Sequence, residues 1–140
     1  MEALGSLVAF VVGWFISQVT KIFTEWIKLG KIGGKEVFAL LVKSRSGGMP
    51  SGHTASFVAL STYLGLYEGF KSGIFVLAVG VAIIVIYDAV NVRRSVGEIG
   101  GVMKKEGKLK RVTEGHNIPE VVVGGSLGVV VGIVVWLVVR

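Results

Sequence analysis

The stretch VVVGGSLGVVVGIVVWLVV, Val121 to Val139, decides the fold class of this chain. Its β-branched residues would suit a strand buried on both faces, but strands usually run to about 3–10 residues. An uncharged apolar run of about 19 residues instead approaches the length a helix needs to cross a bilayer. A helix also organises the glycines. Gly124, Gly128 and Gly132 recur at four-residue spacing and share one face, where small residues permit close approach of another backbone. Spacing alone leaves open whether that partner lies in the same chain or in a second copy.

Three further apolar runs precede this one, at about Ala3–Thr20, Thr54–Tyr67 and Ser72–Val92. The third is long enough to span, the first is adequate, and the second is short enough to end inside protein. Hydrophobic residues make up 52% of the 140, charged residues only 17%, and mean hydropathy is +0.75. A soluble fold with so few charges could hardly cover its own apolar surface. These features predict an all-α, polytopic membrane bundle forming a single domain over 1–140, with about four transmembrane helices. The first helix continues as an interfacial stretch through Trp26 and Leu29 until Gly30 and Gly33-Gly34 break it. Lys35–Val42, too short to span, reads as a short interfacial or re-entrant helix, and Arg93–Gly115 as a loop with one helical piece. Glu2, in place of a basic start, argues against a cleaved signal peptide. The absence of cysteine excludes disulfides and thiolate metal sites.

Charge sets the expected orientation. Lys21, Lys28, Lys31, Lys35, Lys43 and Arg45 fall between the first two runs. Arg93, Arg94, Lys104, Lys105, Lys108, Lys110 and Arg111 fall between the last two. With alternating helices both groups lie on one side, leaving only Lys71 and Arg140 on the other, and the positive-inside rule makes that basic side cytoplasmic. This placement accounts for the net charge of +6 without nucleic acid as a partner.

Gly47-Gly48-Met49-Pro50-Ser51-Gly52-His53-Thr54 carries the chemistry. A glycine-rich turn at a helix start presents unpaired N–H groups and the positive end of a dipole, a ready anion site. The second histidine, His116, is placed alike: it follows Gly115 and precedes a membrane helix with Pro119 in its first turn. Both histidines therefore fall on the same side. Glu120, four residues after His116, is positioned to accept a hydrogen bond from the ring and fix its tautomer. Asp88, at membrane depth, needs a partner. Spacings of five and six residues to Arg93 and Arg94 do not stack on an α-helix, so the expectation is a partner across the bundle or a helix end between them. Arg93 and Arg94 serve either a phosphate or lipid headgroups.

This pattern resembles the type 2 phosphatidic acid phosphatase superfamily, related to acid phosphatases and vanadium-dependent haloperoxidases, and in particular its divergent branch of small membrane proteins. The residues that carry the resemblance run from Gly47 to Gly128: the proline–serine–glycine–histidine turn, Asp88-Ala89 before Arg93-Arg94, and His116 with Glu120. The resemblance implies His116 as a nucleophile forming phosphohistidine, Glu120 as the carboxylate that orients it, and His53 as the acid that protonates the leaving alkoxide. Ser51 with the backbone at Gly48 and Gly52 would hold phosphate oxygens. It implies no metal or other cofactor. The superfamily's first signature, a lysine followed by an arginine–proline pair, has no counterpart, so Lys21, Lys43 and Arg45 stand as substitutes. Lys110 occupies the place of the arginine expected six residues before His116, and Arg93 and Arg94 are candidates for the missing guanidinium.

The expected activity is metal-independent hydrolysis of a lipid or isoprenoid phosphate at the cytoplasmic face, with a membrane lipid as substrate and a homodimer as a candidate assembly. The alternative is a non-catalytic phospholipid- or phosphate-binding membrane protein or transporter subunit. A metal site of His53, His116, Asp88 and Glu120 is a third reading, which no short ligand spacing marks.

Overall fold

The computed structural model describes residues 2–29, 48–109 and 115–139, and every regular element among them is helical. These are α1 (Glu2–Leu29), α2 (Gly52–Glu68), α3 (Gly73–Tyr87), a π turn (Asp88–Val92), α4 (Arg93–Lys105) and α5 (Ile118–Val139). The predicted short helix at Lys35–Val42, together with Lys43, Arg45 and Lys110, lies outside the described residues.

Three stretches are long and apolar enough to cross a membrane: Leu4–Thr24, Gly73–Lys105 and Ile118–Val139. The remaining helix, α2, has only 17 residues, and its position explains why that suffices. α1, α3 and α5 all pack against it, so neighbouring helices cover it where lipid would otherwise. It therefore carries polar side chains that bond back to its own carbonyls: Ser56 Oγ to Gly52 O at 3.0 Å and Ser61 Oγ to Phe57 O at 2.7 Å.

Lipid tails are as apolar as leucine, so close packing rather than water exclusion must hold such a bundle together. The glycines supply that packing. A β-carbon at Gly124 would lie 2.6 Å from Ser51 O, one at Gly128 2.6 Å from Ala55 O, and one at Gly132 2.7 Å from Ala59 O. The glycine face of α5 is therefore filled within the chain, and the two helices run parallel. On the other side, Gly13 faces Ala55 and Ala59, and Gly5 lies beneath the ring of Tyr63, so α1 runs antiparallel to α2. Ala9, Ala59, Tyr63, Val131 and Val135 form the core between them.

Gly69, at φ +91°, turns the chain from α2 into α3, and Ser72 caps the new helix by accepting from Phe75 N–H at 3.3 Å. From Gly73 the helix continues through the π turn to Lys105. That is about 50 Å of rod, well beyond the ~30 Å hydrocarbon core. Most of the predicted loop at Arg93–Gly115 is thus helix α4. Within it Gly97 and Gly100 are buried, while Val96, Ile99 and Met103 lie on an exposed apolar face.

Candidate functional site

The starts of α2 and α5 are fastened to each other. The backbone N–H of Ser51 donates to the carbonyl of Glu120 at 3.0 Å, a contact that the missing side chain at Gly124 allows. Both helices thus open at one level; α2 presents first-turn N–H groups with no carbonyl four residues back, whereas at α5 Pro119 has none and those of Asn117 and Glu120 bond Glu120 Oε2 and Asn117 O. The turn before α2 passes through Gly48, whose φ of +91° favours glycine, and a cis Met49–Pro50 bond.

His116 sits at this level with 5% of its surface exposed. Its backbone N–H donates to Ala89 O at 3.0 Å, fixing the segment before α5 to the π turn. Nδ1 lies 2.9 Å from Glu120 Oε2, which also accepts the backbone N–H of Asn117 at 3.2 Å. A carboxylate accepting from Nδ1–H leaves Nε2 with the lone pair. Gly115 is demanded by the same docking: a β-carbon there would collide with the backbone of Arg93 and Arg94, 2.6 Å from Arg94 Cα.

The π turn revises the expectation for Asp88. Its i→i+5 bonding, seen in Arg93 N–H donating to Asp88 O, brings residues five apart onto one face. Asp88 Oδ2 and Arg93 Nε meet at 2.5 Å within the same rod, rather than across the bundle. Arg94, one position on, turns to Glu98 at 3.2 Å on an exposed surface.

His53 is the second residue of α2, ahead of the apolar run, and stands partly exposed beside Phe10, Val11, Trp14, Ser56 and Phe57. Its pKa lies below the ordinary imidazole value. Partial burial is the main cause, followed by the positive charge of Arg93, the neighbouring imidazole of His116 and the charge of Lys21, against which Asp88 acts in the opposite sense.

Sequence reasoning placed Lys21 among linker charges and as one of three substitutes for the absent signature; the fold puts it inside α1. It is 7% exposed, with its stem next to Gly48. Ser17 and Gln18 are buried against Gly52, and Thr24 Oγ1 bonds Met49 O at 3.0 Å. Ser17, Gln18, Lys21 and Thr24 thus line α1 where it meets the turn. Gln18 was missed in the sequence, although a polar stripe within an apolar helix marks a face turned to protein. Ser51, expected to meet phosphate through its hydroxyl, is fully buried. It accepts from Thr54 Oγ1 at 2.9 Å, and its N–H is engaged by Glu120. Among the described residues, no three His, Cys, Asp or Glu side chains converge as metal ligands would.

A polytopic helical protein with two histidines at one end of the bundle, one of them bonded to a carboxylate four residues on, defines a class, and comparison with known families agrees. The chain belongs to the Divergent PAP2 family, whose model matches residues 4–131. It is 31% identical over 153 residues to the uncharacterized membrane protein YuiD of Bacillus subtilis (strain 168), covering 94% of this chain and 90% of that protein. No solved structure matches it. Family membership and apolar spans together make this a membrane protein.

Proposed function

We propose that the protein hydrolyses a phosphate monoester of a lipid or isoprenoid alcohol, through a phosphohistidine on His116. The observation that carries this reading is the bonded pair His116–Glu120, held at the joined starts of α2 and α5 with His53 at the same end.

The Nε2 lone pair of His116 attacks phosphorus opposite the ester oxygen. The P–O bond to the alcohol breaks, and its electron pair leaves on oxygen, which takes a proton from His53. Glu120 keeps Nδ1–H pointed at itself, stabilising the ring as positive charge develops. Water then attacks phosphorus and gives a proton to the now neutral His53. The N–P bond breaks, returning its pair to Nε2 and releasing inorganic phosphate. Arg93 and the first-turn N–H groups of α2 supply donors for the equatorial oxygens, with Lys21 adding charge from α1.

The lowered pKa of His53 fits a site awaiting an anion. A bound phosphate would offset the charges of Arg93 and Lys21 and restore the proton His53 must donate. The test is phosphate release from lipid phosphates in the presence of chelator. Activity well above that of His116→Ala is expected, and equal rates would sink the enzymatic reading. The burial of His116 favours a second reading, a phosphate-binding protein without turnover. In that case lipid phosphate binding survives His116→Ala and no phosphate is released by either protein.

A further inference from the structure

We propose that the groove between α1 and α2 receives the apolar chain carried by the phosphate ester. The inference rests on the phosphatase reading above and adds where the alcohol lies.

In-line displacement puts the leaving oxygen opposite the attacking nitrogen, next to the group that protonates it. His116 is held on the side of α5 and the π turn, by Ala89 O and the Arg94 backbone. His53 lies in a different groove, of about 330 Å³, walled by Phe10, Val11, Trp14, Ser56 and Phe57. The carbon chain bonded to the leaving oxygen must pass through the space His53 faces.

That space is built for hydrocarbon. Phe10 and Phe57 pack edge to face with centroids 5.1 Å apart, and the Ser56 hydroxyl is bonded to Gly52 O. Among the described residues, His53 is the one titratable group in the lining. The groove also has a direction. Trp14 adjoins Gly52 at the site end, while Phe10 meets Phe57 one turn deeper along α2. Four residues of helix rise about 6 Å, so the groove takes the first carbons of a chain whose remainder lies in the bilayer. The volume falls at the small end of ligand sites, about 300–1,000 Å³. A larger groove of about 490 Å³, lined by residues such as Val58, Thr62, Val79, Ile83 and Val129, lies between α2, α3 and α5 and has no titratable residue in its lining among the described residues.

The test uses methyl, ethyl, propyl and butyl phosphate, all soluble, so that partition into detergent does not enter. Wild type should gain in kcat/KM along the series, by about tenfold or more from methyl to butyl, since each methylene that enters an apolar site contributes severalfold. Val11→Trp fills the groove from an exposed position and should flatten the series to within about twofold, whatever its rate on methyl phosphate. Ile83→Trp, in the larger groove, should keep the wild-type slope. A flattened series in Ile83→Trp with a preserved one in Val11→Trp would overturn the proposal. So would a Val11→Trp chain that changes its oligomeric mass but not its slope, which would assign the groove to a second copy. Should wild type release phosphate neither from this series nor from a lipid phosphate, the phosphatase reading fails, and the groove is judged by binding of methyl and butyl phosphonate. A preference for butyl that Val11→Trp abolishes supports the groove, and equal binding of the two refutes it.

Discussion

At the scale of single residues, the proposed chemistry turns on two imidazoles in opposite settings. His116 is enclosed and oriented by Glu120, whereas His53 is half open and surrounded by positive charge. A proton donor with a lowered pKa works best at low pH: its protonated form is complete well below the folded pKa and is lost as pH rises through it. The alkaline fall in kcat/KM should therefore begin below the ordinary imidazole value of about 6.5. With only two histidines in the chain, NMR titration of labelled imidazoles can follow both. Arg93→Gln should move the His53 titration upward and Asp88→Asn downward, following the signs of their charges on it. Shifts in the reverse order would refute the electrostatic account. Glu120→Gln leaves the shape intact but removes the negative charge facing Nδ1, and should lower kcat by about 10²-fold or more, with little change in KM. The pair His116–Glu120 was legible in the sequence because one helical turn fixes its geometry. Gln18 was not, and Lys21 could be named only beside Lys43 and Arg45, since their placement depends on which face of α1 meets the turn before α2.

At the scale of elements, two departures from plain α-helix shape the site. The first is close packing along glycine. Gly128 and Gly125 make a matched test: a β-carbon at Gly128 would press on Ala55 O, whereas one at Gly125 would meet only Thr54 Cγ2 at 3.8 Å. Gly128→Ala should cost about 1–3 kcal/mol through overpacking, and Gly125→Ala should be neutral or stabilising, as measured by unfolding in detergent. Equal effects at both positions would remove the packing argument. The second departure is the π turn. A five-residue separation cannot be paired on an ideal α-helix, and for that reason the Asp88–Arg93 contact was invisible to spacing rules. Deleting Asn91 would restore α periodicity and rotate α4 by about 100°. The expected result is a folded protein that has lost the Asp88–Arg93 contact and most of its phosphate affinity. Unchanged affinity would show that the π turn is incidental to the site.

At the scale of the whole molecule, the helical membrane class was readable from Val121–Val139 and the other apolar runs, because length and hydropathy are properties of the chain itself. What those runs could not reveal was rank. The least hydrophobic of them, α2, is the hub against which α1, α3 and α5 pack, and its polar residues reflect shelter rather than exposure. Nor could composition show that all of Arg93–Lys105 is helical, since the glycines at 97, 100 and 101 lower helix propensity. Charge placement supports a cytoplasmic site. The chain has no cysteine, so single replacements can be labelled without background. Lys108→Cys should react only from the cytoplasmic side and Lys71→Cys only from the other, and the opposite pattern would invert the assignment. The measurement closest to the central claim is trapping of the phosphoryl intermediate from a ³²P-labelled lipid phosphate. The account predicts acid-labile label on His116, absent in His116→Ala. Turnover without label, or label that persists in His116→Ala, would contradict it.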